Sequence, residues 1–459
     1  MYQDDIAALA TPPGEGGIAI VRLSGSCVIE KAARVFIPYR ADSKLEERKG
    51  YSLTLGWIVD EEGQKVDQVL IGLMRGPRSY TGEDVVEINC HGGTLAARRC
   101  LEEIMKQSVR MAEPGEFTRR AFLNGRLDAS QAEAVIEIVR AKTDKALKLA
   151  VKQLEGRTSR EIQGLEDQLV GLNAQLEASM DFPDDVGDPD YVQIGEQITQ
   201  QMKTMNRILA AGLRGEVYRD GISIAISGKP NVGKSSLLNA LLKKDRAIVT
   251  NIPGTTRDII EDYINLRGIP VKLIDTAGIR DTSDEIERLG VERSRQVLVE
   301  ADLIIMVLDV ADGISASDLD IYQRIQDRNH IILVNKEDLH DRKISPFDIK
   351  RHFAGRRVIW GSVQEEIGLD TLEDAIEEMA LSGSIGSEQW EIMLNLRQKS
   401  ALLRAHTSLQ NSMENLGKVP LDCLAVDIWE ALDSLGEISG KNMKDEVIDR
   451  IFHDFCIGK

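Results

Sequence analysis

The sequence predicts a multidomain chain of α/β and all-α parts, with an α/β block inserted into a helical bundle. Three observations predict it. Short β-branched runs alternate with helical patterns between residues 221 and 380, as in a mainly parallel sheet covered on both faces. Stretches with apolar residues at three- and four-residue spacing flank that block on both sides. Residues 1–120 carry strand-like runs punctuated by turns. At 459 residues the chain is also too long for a single core.

The elements follow in order. Strand-like runs occupy 17–23, 52–59, 66–74 and 84–89, with turn signals at Thr11-Pro12-Pro13-Gly14, Gly76-Pro77 and His91-Gly92-Gly93. Residues 94–107 read as a helix. From Asp128 the period changes, and Asp128 or Ser130 can cap a helix with Glu133 in its opening turn. Ile162, Leu165, Leu169, Leu172 and Leu176 share one helical stripe. A break at Asp181-Phe182-Pro183 through Asp188-Pro189 precedes a second helix marked by Ile194, Ile198, Met202, Met205 and Leu209. Within the inserted block the runs 222–226, 271–274, 303–308, 331–334 and 358–360 read as strands. Helical periodicity returns at 386–415 and 421–455, so the two helical stretches are expected to pack into one bundle.

Composition narrows the class. Hydrophobic residues make up 42% and charged residues 29%, ordinary for a globular protein. The formal charge of −18 excludes a bulk polycation grip on nucleic acid, but not a local basic patch. Cys27, Cys90, Cys100, Cys423 and Cys456 are scattered without a CxxC, so neither a disulfide framework nor a zinc site is indicated. No run of about 18 apolar residues occurs, and the start has no basic segment ahead of an apolar one. No membrane is therefore expected, and a cytoplasmic location is.

The strongest motif is Gly228-Lys229-Pro230-Asn231-Val232-Gly233-Lys234-Ser235, which follows an apolar run and leads through Ser236 into a helical pattern. That is the context of a phosphate-binding P-loop. Glycines let the backbone curl so that amides face phosphate oxygens, and the helix N-terminus adds positive potential. Lys234 is placed for the β/γ-phosphates and the Ser235 hydroxyl for Mg²⁺. Asp275-Thr276-Ala277-Gly278 follows a second apolar run, where a carboxylate can hold Mg²⁺ through water and the Gly278 amide can sense the γ-phosphate. Asn335-Lys336-Glu337-Asp338 ends a third. The Asp338 carboxylate accepts hydrogen bonds only, which suits the N1–H and N2–H₂ edge of guanine and not adenine. Asn251-Ile252-Pro253-Gly254-Thr255-Thr256-Arg257-Asp258 lies between the first two motifs and resembles a switch I loop. Where a Ras-like enzyme carries a water-positioning Gln after this second motif, Ile279 stands here, and no arginine finger is evident.

Four further stretches are diagnostic. They are Thr11-Pro12-Pro13-Gly14 with Ile20-Val21-Arg22-Leu23-Ser24-Gly25, Tyr80-Thr81-Gly82-Glu83-Asp84 leading to His91-Gly92-Gly93, Pro114-Gly115-Glu116-Phe117-Thr118 through Leu127-Asp128, and Cys456-Ile457-Gly458-Lys459. With the inserted block they make the chain resemble the MnmE (TrmE) family of bacterial tRNA-modification GTPases over essentially its whole length. The resemblance implies an α/β tetrahydrofolate-binding-like domain at 1–120 that mediates homodimerisation. It also implies a helical domain in two parts, 121–220 and 381–459, around a Ras-like P-loop GTPase domain at 221–380.

By the same resemblance, GTP would contact Asn231, Val232, Gly233, Lys234, Ser235 and Ser236. It would also contact Thr250, Asn251, Ile252, Pro253, Gly254, Thr255, Thr256, Asp275, Thr276, Ala277, Gly278, Asn335, Lys336 and Asp338. Mg²⁺ falls to Ser235 and Thr256. K⁺, standing where an arginine finger's charge would be, falls to Asn231, Thr255 and the carbonyls of Thr250 and Ile252. Lys234 and Glu287 are the implied catalytic residues for hydrolysis, Glu287 orienting the water. A tetrahydrofolate derivative (5-formyl or methylene form) would meet Arg22, Glu87, Arg126 and Lys459. Cys456 is the implied reactive thiol, against an alternative in which it packs the last helix. The implied partners are tRNA and an FAD-containing protein of the MnmG (GidA) type, forming a heterotetramer or larger. The implied product is a carboxymethylaminomethyl or aminomethyl group at C5 of the wobble uridine.

Three features depart from the family pattern. Arg126 stands where Lys is frequent, Pro253 where Ala is frequent, and Gly361-Ser362-Val363 stands in place of a Ser-Ala motif, with a backbone N–H still expected to approach guanine O6. His91 reads as a metal or acid/base candidate or, more simply, as a turn-stabilising residue. A ribosome-assembly GTPase switch is the alternative function, and a nucleotide-dependent hinge without an RNA role a third.

Overall fold

The computed structural model describes residues 4–40, 44–187, 189–244, 263–275, 300–381, 392–453 and 455–459. The expected contacts at residues 250–256, 276–278 and 287 lie outside them.

The N-terminal part is built on strands β1 (Ile6–Leu9), β2 (Ile18–Gly25), β3 (Phe36–Pro38), β4 (Ser52–Val59), β5 (Lys65–Met74), β6 (Asp84–His91) and β7 (Arg110–Met111), with helices α1 (Val28–Arg34) and α2 (Thr94–Met105). The strands form one seven-stranded sheet in the order β3-β4-β5-β6-β2-β1-β7. All pairs are antiparallel except β1 with β7. Val21, Leu23, Ile58, Ile71, Leu73 and Ile88 pack with Cys100 and Ile104 of α2 into one core. Side chains alternate across a strand. Leu53, Leu55 and Leu70 therefore stand exposed on the opposite face.

Helices α3 (Glu116–Leu123), α4 (Ala129–Arg140), α5 (Asp144–Leu154), α6 (Arg157–Asp181), α7 (Pro183–Val186) and α8 (Tyr191–Asp220) follow. Asp128 caps α4 by accepting from the Gln131 amide, while Gln131 returns a bond to the Asp128 amide. The expected cap is thus Asp128, and Glu133 serves elsewhere. It is buried and accepts from Arg397 at 2.8 Å and Gln398 at 2.5 Å. That pairing joins the two halves of the helical domain. The stripe from Ile162 to Leu176 is wholly buried, as the spacing predicts. Each such side chain contributes about 2 kcal/mol of transfer free energy.

Helix α8 runs directly into the inserted domain. Gly221 turns the chain at φ 81°, and a Cβ there would sit 2.0 Å from the Pro270 carbonyl oxygen, so only glycine fits. The inserted domain contains β8 (Ile222–Ser227), α9 (Lys234–Lys244), β9 (Tyr263–Leu266), β10 (Ile269–Asp275), β11 (Leu303–Asp309), α10 (Ala316–Ile325), β12 (His330–Asn335), α11 (Pro346–His352), β13 (Arg357–Trp360) and α12 (Leu369–Leu381). Its six-stranded sheet has the order β13-β12-β11-β8-β10-β9. It is parallel throughout except for the β9–β10 hairpin, in line with the expectation.

The chain re-enters the bundle beside its exit. Ile392, Met393 and Leu394 are buried against Gly212 and Gly215 of α8, where a Cβ would meet Leu394 and the Ile392 oxygen at 2.6 Å. Helices α13 (Leu396–Asn415), α14 (Leu421–Ser439) and α15 (Asp445–His453) complete the chain. Helices α6, α8, α13 and α14 share one core, including Leu169, Ile198, Leu402 and Ile428. A second tie holds the inserted domain to the bundle: Thr143 donates to the Gly268 oxygen at 2.8 Å, and the Lys142 ammonium lies 3.5 Å from the Tyr263 ring centre.

Candidate functional site

Ligands in open α/β sheets bind at the carboxyl ends of the strands, and there the P-loop, the Asn335-Lys336-Glu337-Asp338 motif and the loop at Val363 meet. The P-loop leaves β8 through Gly228 at φ 146°, passes Asn231 at φ 65° and Gly233 at φ 104°, and enters α9 at Lys234. Asn231 is the one of these that tolerates the left-handed region without being glycine. The Lys234 ammonium donates to the loop's own carbonyls, Gly228 at 2.8 Å and Lys229 at 2.6 Å. Ser235 and Ser236 are exposed in the first turn of α9, and Val232 is buried beneath the loop.

Asn335 ties the loop to the rest of the pocket. Its Nδ2 donates to the Val232 oxygen at 2.8 Å, and its Oδ1 accepts from the Val363 amide at 3.0 Å. Lys336, at φ 66°, donates to the Asn231 oxygen at 3.1 Å and to Asp309 Oδ2 at 2.5 Å. Asp338 is exposed. The loop has curled so tightly that a Cβ on Gly233 would lie 2.3 Å from Asn335 Nδ2. A loop of this curl, a serine hydroxyl at a helix N-terminus and an acceptor-only carboxylate fit a Mg²⁺-bound guanine nucleotide.

A second constellation forms on the open face of the N-terminal sheet. Arg22 on β2 and Glu87 on β6 are cross-strand partners, and Arg22 donates from Nε to Glu87 Oε1 at 2.9 Å. Its Nη1 donates to the Gly458 oxygen at 3.0 Å, and its guanidinium lies 5.4 Å from the Tyr80 ring centre and 5.8 Å from that of Phe117. Burial pushes the Tyr80 phenol above its ordinary value, so it stays protonated, hydrogen-bonded to the Thr118 hydroxyl at 2.8 Å. Arg126 donates to the Ser79 oxygen at 3.1 Å. Gly115, at φ 69°, lets the last turn of α15 and the residues after it pack closely; a Cβ there would be 2.6 Å from the Phe452 oxygen and 2.9 Å from Phe455 Cβ. Arg22 and Glu87 are thus partly exposed on this face, with Tyr80 half-buried beside them and Phe117 fully buried beneath.

Residues 5–126 match the family described as GTP-binding protein TrmE N-terminus, and residues 130–456 match the MnmE helical domain. The chain belongs to the MnmE (TrmE) family. It is similar to a protein of Syntrophomonas wolfei named tRNA modification GTPase MnmE, with 63% identity over the whole of both chains. It is also similar to one of the same name from Desulforamulus reducens, with 44% identity over the whole of both. Among solved structures, a point variant of Aquifex aeolicus Era bound to GDP and AlF4− is similar at 29% identity, TM-score 0.27, covering 44% of this chain and 69% of that one.

Within this MnmE-family chain, the structure brings together Asn231, Val232, Gly233, Lys234, Asn335 and Lys336 at one site, and Arg22 with Glu87 at another. Two readings of the sequence change. The amides of Ser362 and Val363 are committed to the Ile367 oxygen and to Asn335 Oδ1, so neither stands free for guanine O6. Cys456 lies beyond α15 and is exposed, and Phe455 fills the apolar slot that the packing alternative gave it. Sequence reasoning missed Asp309, buried at the end of β11 and anchoring Lys336. Its signal is the first acid to close an entirely apolar run, at the carboxyl end of a parallel strand.

Proposed function

We propose that this MnmE-family chain hydrolyses GTP in the service of tRNA modification, as its relatives' names describe. It would do so as a K⁺-activated homodimer with a FAD-containing MnmG-type partner, building an aminomethyl or carboxymethylaminomethyl group at C5 of the wobble uridine. The observation that carries the GTPase part is Asn335, whose one side chain joins the P-loop to the loop at Val363 and leaves Asp338 open at the guanine position.

The chain's own residues divide the work. Lys234 is held over the P-loop carbonyls, within a side chain's swing of the β/γ-phosphates. Ser235 and Thr256 would hold Mg²⁺, which supplies charge stabilisation at the phosphates when bound, and Glu287 would orient the attacking water. Asn231, Thr255 and the carbonyls of Thr250 and Ile252 would hold K⁺, whose positive charge would supply electrostatic stabilisation at the phosphates. Asp338 selects guanine. At the second site Arg22, Glu87, Arg126 and Lys459 would contact the folate, and Cys456 would be the reactive thiol beside them. Dimerisation is supported by the open sheet face, where Leu55 and Leu70 are exposed, directly opposed and on the same side as Arg22 and Glu87.

The test is GTP hydrolysis in K⁺ against Na⁺. We expect the faster rate in K⁺ and its loss in Asn231→Ala; equal rates in both salts would remove the cation from the mechanism. Mass analysis of wobble uridines in tRNA from cells lacking the protein tests the rest. Unchanged modification with altered ribosome profiles would favour a ribosome-assembly role instead.

A further inference from the structure

The N-terminal core holds a group of ligating side chains that the nucleotide and folate readings do not use. Cys90 on β6 and Cys100 on α2 are both buried, and their sulfurs face one another beside the carboxylate of Asp67 on β5. One ligand atom from each of the three lies within 4.8 Å of the other two. No CxxC brings them together; β5, β6 and α2 do so where β5 begins, β6 ends and the helix crosses the sheet.

A carboxylate beside two thiols is a poor arrangement at the edge of an apolar core, because it repels any thiolate that forms. The chain nevertheless holds it there. The Asp67 oxygens accept from the His91 amide at 2.8 Å and from His91 Nδ1 at 2.6 Å. Each oxygen keeps a second lone pair. The Cys90 thiol donates to the Ala19 oxygen at 3.2 Å. A cation that displaces both thiol protons would place its charge among three negative ligands.

We propose that Asp67, Cys90 and Cys100 form a site for one thiophilic divalent cation of the zinc class, with water in the fourth tetrahedral position. Two thiolates select a soft or borderline metal over Mg²⁺ or Ca²⁺. His91 is the positioning residue: its ring holds the ligating carboxylate, as outer partners do at many metal sites. The Asp67 side chain is 10% exposed and the His91 side chain 70%, which gives the ion an entry path from the sheet's rim. The bound ion would pin α2 to the sheet that carries Arg22 and Glu87 on its other face.

Cobalt reports the site directly. In the full chain carrying Cys27→Ser, Cys423→Ser and Cys456→Ser, reduced and without oxygen, Co²⁺ is expected to give sulfur-to-metal charge-transfer and tetrahedral d–d absorption saturating at one equivalent. Zn²⁺ should bleach both and raise the thermal midpoint. Further substitution Cys100→Ala should abolish the charge-transfer band, and His91→Ala should weaken binding by about 10- to 100-fold. No thiolate charge transfer at one equivalent in the triple variant would overturn the proposal, and that measurement needs no substitution in the core. Undiminished absorption in Cys100→Ala would overturn it as well.

Discussion

Asp338 shows how much one side chain can decide. Its neighbours are fixed by Asn335 and Lys336, so the carboxylate is presented without needing partners of its own. Replacing it by Asn swaps an acceptor for a donor where guanine presents only donors. Asp338→Asn should weaken GTP binding by about 3 kcal/mol, roughly a hundredfold, and improve binding of xanthosine triphosphate, whose C2 carbonyl accepts. Titration calorimetry with both nucleotides checks it; unchanged preference for GTP would mean Asp338 does not read the base. At this scale the sequence was legible wherever function needs a residue type at a fixed spacing, as in the P-loop. Asp309 and the Asp67–Cys90–Cys100 group were not, because their partners lie on other elements and no local spacing announces them.

Elements were legible wherever one face is buried. The stripe of α6 and the apolar runs of the inserted sheet each follow a single period that water exclusion enforces. The terminal segment has no such period, and its position depends on two glycines far apart in sequence. Gly458 sits at φ 91°, and a Cβ there would lie 2.4 Å from the Leu9 oxygen. Gly458→Ala therefore adds about 1–2 kcal/mol of left-handed strain and a clash against backbone. The segment should lift and break the bond between Arg22 and the Gly458 oxygen. We expect binding of 5-formyltetrahydrofolate to weaken about tenfold, matching that strain, with GTP hydrolysis unchanged. Equal folate affinity in calorimetry would show that the terminus is not part of the cleft.

The whole molecule joins its parts through a few long-range ties. Glu133 links the two halves of the bundle, Thr143 and Lys142 hold the β9–β10 hairpin, and the terminal residues return to the first domain. Insertion was legible because the periodicity changes abruptly and then returns; the ties were not, since each depends on a residue that reads as ordinary surface. Assembly belongs to this scale too. Leu55 and Leu70 are direct partners across β4 and β5, and both are exposed. Exchanging them together, Leu55→Lys with Leu70→Glu, leaves a favourable cross-strand pair in the monomer. In a dimer closed over this face the same ion pair would be taken out of water, at a cost of roughly 3 kcal/mol. The dimer's dissociation constant should then rise about a hundredfold. Sedimentation should then show the proposed dimer for the unaltered chain and monomer for the double variant. On the proposed mechanism, in which K⁺ acts with two GTPase domains juxtaposed, K⁺-stimulated hydrolysis should fall with it and recover at high protein concentration. A double variant that still sediments as a dimer would move the contact to another surface and leave the exposed leucines without that role.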